Sequence, residues 1–138
     1  MPTQTVAHTN KPADEKITIN LSVVDLGQID LLVQQGFFSN RSDLIRSAIR
    51  RELAIHAQTV SSVVEEQMLV LGLRHITAGE LQALQKKNKR LSVRVLGLLS
   101  IADDVSSSLA LSTIESITIL GAFHAPPALR KALASRIT

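Results

Sequence analysis

Lys16-Ile17-Thr18-Ile19-Asn20-Leu21-Ser22 decides how the first half of this chain is read. Polar and apolar residues alternate without exception along it, the period of a β-strand with one buried face. Ile17, Ile19 and Leu21 are therefore expected to point inward, and Lys16, Thr18, Asn20 and Ser22 to form an outward row of hydrogen-bonding side chains. Directly after it, Ser22 and Asp25 have capping-box spacing, and Leu26, Ile29, Leu32 and Val33 recur at helical intervals until Gly36 offers a left-handed C-terminal cap. The pattern predicts a helix of about 13 residues. Gly27 inside it costs about 1 kcal/mol relative to Ala, which fits either a close helix crossing or a tolerated weakness.

Beyond Phe37 and Phe38, Asn40-Arg41-Ser42-Asp43 repeats the cap logic, and Leu44, Ile45, Ala48, Ile49 and Leu53 form the apolar stripe of a second helix reaching to about Gln58. Residues 59 to 67 read equally as a helical extension or a linker, since Val60, Val63 and Val64 fit a helix face but are β-branched. Upstream, residues 1 to 15 carry Pro2, Pro12 and few apolar side chains, the composition of a flexible arm. One strand and two helices cannot close a core, and a lone strand leaves both edges open. Antiparallel pairing with a second copy resolves this. It completes a two-stranded ladder, lays Ile17, Ile19 and Leu21 over the helices with Leu44, Ile45 and Ile49, and leaves the polar row outside.

In this order and spacing, the KITINLS strand, the Gly36 break and the SNRSDLIRSAIRREL stretch from Ser39 to Leu53 resemble the ribbon-helix-helix DNA-binding family of MetJ, Arc and CopG-type regulators. The resemblance covers under a third of the chain. It implies an intertwined βαα homodimer over residues 16 to 58, and a cytoplasmic, bacterial-type transcriptional regulator, expected to be a repressor, whose partner is double-stranded operator DNA. It also implies that Lys16, Thr18, Asn20 and Ser22 read bases in the major groove, while Asn40, Arg41 and Ser42 at the start of the second helix hold phosphate. Physical chemistry agrees. A β-ribbon fits a major groove about 12 Å wide, Asn can hold adenine through two hydrogen bonds, and a helix N-terminus favours an anion. Many family members carry Arg or Lys where this strand has Thr18 and Asn20, which argues against a G-rich operator and for cooperative binding of several dimers.

Residues 68 to 138 contain an internal repeat. Leu69-Val70-Leu71-Gly72, Arg94-Val95-Leu96-Gly97 and Thr118-Ile119-Leu120-Gly121 are one short pattern, with the glycines 25 and 24 residues apart. Each run precedes a helix-permissive segment: Gly79 to Lys87, Val105 to Leu111, and Ala128 to Ser135. Units of about 24 residues, each strand then helix, predict a short solenoid-like repeat domain with the glycines at a bend ending each strand. The fold expected for the whole chain is therefore α+β: a ribbon-helix-helix module followed by a β/α repeat domain. The open strand edges of that second domain would join dimers into tetramers or larger assemblies, or capture a protein partner.

Composition narrows the alternatives. The chain has 138 residues, 45% hydrophobic, 2% aromatic and without cysteine, so disulfides, thiolate metal sites and a cysteine nucleophile are excluded. Its net charge is +3, divided as −1 over residues 1 to 15, +1 over 16 to 58 and +3 over 59 to 138, which does not by itself announce nucleic acid. Lys86-Lys87-Asn88-Lys89-Arg90 reads as a charged loop, and Arg46, Arg50 and Arg51 as a solvated helix face. His75 and His124 both fall three residues after a repeat glycine and would share one edge of the repeat. One intervening strand puts them about 10 Å apart, too far to share an ion, and no metal or cofactor is expected. No phosphate loop or nucleophile elbow occurs, so no enzyme is expected, and neither a signal peptide nor a membrane span is. Two other classes use the same parts. One is an antitoxin, plasmid-partition or relaxosome accessory protein; the other is an assembly protein whose repeat domain does the work and whose ribbon merely dimerises.

Overall fold

The computed structural model describes residues 14 to 138; the arm expected over 1 to 15 lies, apart from Asp14 and Glu15, outside the described residues. Lys16 to Ser22 carries no regular secondary structure, because a strand is defined by its ladder and a single chain gives this one no partner. From Ser22 the local signals take over. The Ser22 hydroxyl accepts from the Asp25 N–H at 3.1 Å and starts α1 (Val23–Gln34). Its end is a Schellman motif: Gly36, at φ +84°, donates to the Val33 carbonyl and Phe37 to that of Leu32, each at 3.0 Å. A side chain at Gly27 would meet nothing within 4 Å in the chain itself, so no other helix of the same chain crosses closely there.

α2 (Arg41–Ile55) opens with a reciprocal cap. The Asn40 Oδ1 accepts from the Asp43 N–H at 2.8 Å, and the Asp43 Oδ2 accepts from the Ser39 N–H at 2.9 Å. Such a cap contributes about 1 kcal/mol. The helix stops at Ile55, short of Gln58, and after a turn at His56 the chain re-enters a helix as α3 (Ala57–Glu66), which takes up most of the stretch that read either way in sequence. None of the residues in α1, α2 or α3 is buried.

The rest of the chain folds on itself. β1 (Val70–Ile76), α4 (Ala78–Lys86), β2 (Leu91–Ile101), α5 (Ser107–Thr113), β3 (Ile114–His124) and α6 (Pro127–Leu133) alternate, and the strands make one parallel sheet in the order β1-β2-β3. Ile76, Val95, Leu99, Ile114 and Ile117 from the strand segments pack with Leu81, Leu129 and Leu133 from α4 and α6 into a fully buried core. Each such side chain contributes about 1.5–3 kcal/mol of burial. The Thr113 hydroxyl, also fully buried, donates to the Leu109 carbonyl at 2.6 Å, and the Arg136 guanidinium donates to the carbonyls of Leu111 and Ile114.

Two expectations need correction here. The repeat is not a solenoid but an open three-stranded sheet with its helices packed against one face. The outer flank of β3 is partly closed by an Ile117–Ile137 bridge, with the Thr138 N–H donating to the Ile117 carbonyl at 2.8 Å, so the stack ends instead of coiling on. The glycines, moreover, sit within the strands and not at their ends. Gly72, Gly97 and Gly121 pair in one register row at φ +114°, +141° and +126°. A Cβ on Gly97 would overlap the Gly72 carbonyl oxygen, and one on Gly121 the Gly97 oxygen, whereas one on Gly72 would meet nothing. The glycine row lets each strand close onto the one before it, and the first strand has no predecessor.

Candidate nucleic-acid interface

The outward row of the sequence reading lies open. Lys16, Thr18, Asn20 and Ser22 are all exposed, and nothing in the C-terminal half covers them. Their apolar alternates are open as well: Ile17 is 76% and Ile19 59% exposed, and Leu21 is exposed too. Of the other residues expected in the dimer core, Leu44 and Ile45 are half-buried and Ile49 is exposed. In the single chain this set does not form a core. Most of it is apolar surface without a partner, which water strongly disfavours.

At the start of α2, Asn40 is committed to capping. Its side chain holds the Asp43 N–H, which leaves the N–H groups of Arg41 and Ser42 as the free donors of the first turn among the described residues. The Arg41 side chain, expected to face phosphate, turns back to α1. Its Nε and Nη2 donate to the two carboxylate oxygens of Asp30 at 2.7 and 2.8 Å, a bidentate pair tying α1 to α2. The hydrogen bond from Arg41 holds the Asp30 carboxyl below its ordinary range, and the same bond raises the guanidinium. Both groups are about half exposed, so the pair orients the helices more than it stabilises them. Sequence reading missed Asp30; its signal was an acidic residue on α1 eleven positions before a cap-adjacent arginine, a spacing that only the helix-turn-helix geometry makes close.

A second contact leads to the sheet. Glu15, the residue before Lys16, pairs with His124 Nε2 at the end of β3. His124, Ser100 and His75 form one register row, as their spacing from the glycines requires, and His75 Nδ1 lies 2.6 Å from the Ser100 hydroxyl. Among the described residues no group of three or more His, Cys, Asp or Glu side chains is placed to hold a metal ion. Arg46 and Arg50 line a shallow hollow with Asp14 and Glu15, and Arg51 is exposed. The basic run begins at Lys86, the last residue of α4, and continues to Arg90 as an exposed turn through Asn88 at φ +53°. No helix among the described residues is long and apolar enough to cross a membrane.

No curated protein and no solved structure matches the chain. A family model does, over residues 12–130, and so spans the open segment Lys16 to Ser22, α1 to α3 and all three strands of the sheet. The uncovered polar and apolar row, the Gly36 break and the Asn40-capped second helix thus sit inside one continuous match, and the chain belongs to the Ribbon-Helix-Helix transcriptional regulator family.

Proposed function

We propose that the protein is a dimeric, sequence-specific DNA-binding repressor. Two copies of Lys16 to Ser22 pair antiparallel, bury Ile17, Ile19 and Leu21 with Leu44, Ile45 and Ile49, and insert Lys16, Thr18, Asn20 and Ser22 into the major groove. Asn40, Arg41 and Ser42 seat a phosphate at the α2 N-terminus, where two free N–H groups and the helix dipole favour an anion; these contacts set register and the strand reads sequence. The observation that carries this reading is the absence of any buried residue in α1, α2 and α3 beside a fully exposed, alternating strand segment. A structure of this kind is completed by a second copy or not at all.

The sheet adds an assembly role. Among the described residues β1 pairs only with β2, so its outer edge is open, and edge pairing between dimers would build tetramers or larger complexes across adjacent half-sites. A gel-shift series against the DNA upstream of the chain's own coding sequence, at two salt concentrations, tests the proposal. Expected is a retarded complex that survives excess random DNA and weakens steeply with salt. Equal affinity for random and upstream DNA would remove the sequence-specific reading, and no binding at low salt would remove the DNA-binding one.

A further inference from the structure

The sheet has two faces and the chain covers one. Val93, Val95, Leu99 and Ile101 of β2 belong to the helix-side core, so the alternate positions face away. On that far side register sets Leu71, Leu96 and Leu120 in one row and Leu73, Leu98 and Ala122 in the next, on either side of the glycine row. None of these six belongs to the core or packs against it. Leu71 is 68%, Leu73 69% and Leu120 53% exposed. An all-parallel sheet is found almost only with both faces covered, because strands of this kind are apolar on both sides. Something therefore belongs on this one.

We infer that the outer face packs against the same face of the second copy in the dimer. This rests on the dimeric reading above, and three observations select that occupant. The first is proximity: the unburied helices already require a second copy, and a tether through them holds its identical sheet at an effective concentration in the millimolar range. The second is composition, since the six central positions carry no charge and facing them with themselves buries no unpaired ion. The third is the arrangement of charge at the two ends. Arg94 stands at the beginning of the strands, in a hollow it shares with Ser92, Ser116 and Thr118, and Glu15 lies at the far end against His124. A two-fold axis across the strands sets the Arg94 end of one sheet over the Glu15 end of the other, while an axis along them would face Arg94 with Arg94. The copies thus meet with strands antiparallel and Leu96 and Leu98 of the central strand nearest the axis.

The native chain has no cysteine, which makes the test clean. In the full chain, Leu98→Cys treated with a bismaleimide spanning about 10 Å, the spacing of stacked sheets, is expected to yield a covalent two-chain species, and Gln82→Cys on exposed α4 is not. Leu73→Glu/Leu98→Glu, which alters only the outer face, is expected to weaken subunit association at least tenfold by sedimentation while keeping the circular dichroism of the parent. An association constant equal to the parent's, or a Leu98→Cys chain that does not cross-link while still sedimenting as a dimer, overturns the inference. DNA binding read on the same samples separates the two ideas. Cross-linking without DNA binding sinks the regulator reading alone, and DNA binding without cross-linking sinks the shared face alone.

Discussion

The two halves of this molecule have similar apolar content to work with and use it in opposite ways. From Leu69 to Leu133 the chain buries fourteen hydrophobic residues, thirteen of them in one cluster. From Lys16 to Glu66 it buries none, although Ile17, Ile19, Leu21, Ile49 and Leu53 are all large and exposed. The difference is one of topology. Strand, helix, strand returns each strand beside the last, so three units supply their own ladder and one sheet face's worth of cover. The open segment Lys16 to Ser22 and the helices after it supply no ladder, since nothing lies beside that segment to pair with it. The first arrangement closes a core within the chain, and the second leaves its apolar residues to be covered by a partner, as in the proposed dimer. In the proposed dimer the segment that reads DNA lies in the half without a core of its own, so ordering that segment and forming the dimer would be one event.

The largest expected effect probes the self-sufficient half. Gly97→Ala forces a left-handed φ of +141° on a side chain and drives its Cβ into the Gly72 carbonyl, costing on the order of 3–5 kcal/mol in urea unfolding. Gly72→Ala, with a similar φ of +114° but open space around it, bears only the backbone strain, about 1–3 kcal/mol. Equal destabilisation by the two would mean that the glycine row is conformational and that close strand approach has no part in it. Next comes the half that needs its copy. Ile19→Lys places an unpaired charge in the shared ribbon and should lower affinity for DNA by roughly 100-fold or more and weaken the dimer, with the circular dichroism of the sheet retained. If the variant dimerises and binds as the parent does, the contrast between the halves is wrong.

Legibility in sequence followed the range of the interactions. α1 and the start of α2 were readable nearly to the residue, because the Ser22 and Asn40 caps and the Gly36 stop are contacts within four or five positions, whereas the end of α2 at Ile55 was not. The repeat was also visible, since its period survives in the glycines. That these glycines lie mid-strand was not, because the reason is a carbonyl on a neighbouring strand 25 residues away in the chain. Nor was an open sheet distinguishable from a solenoid, since both share period and strand-then-helix order, and they differ only in whether the last unit is closed, here by Ile137 and Thr138. At the candidate interface the exposure of Lys16, Thr18, Asn20 and Ser22 was legible from the alternation, while the Arg41–Asp30 pair, a contact across two helices, was not.

A smaller effect sharpens the functional side. Asn20→Ala should cost roughly 1–3 kcal/mol of discrimination between operator and random DNA, read as a fall of about 5- to 150-fold in the affinity ratio, and leave dimerisation alone. A uniform loss on both DNAs would move Asn20 from reading bases to holding backbone.

Smallest of all is the contact that joins α1 to α2. Asp30→Asn removes one charge of the bidentate pair and releases Arg41 beside the free N–H groups of the first turn of α2, where a phosphate is proposed to sit. The salt dependence of DNA binding should then steepen by about one per released arginine in the logarithmic plot. Stability should change little, and its pH course identifies the cause. The carboxyl is held below its ordinary value of 3.8, so the pair's contribution is fully present above that value and disappears as pH falls through the lower folded one. Parent and Asp30→Asn should differ slightly at neutral pH and converge in strong acid. A salt slope unchanged by the substitution would show that Arg41 already reaches phosphate with Asp30 in place, and the pair would then be a brace that positions the arginine for DNA instead of a competitor for it.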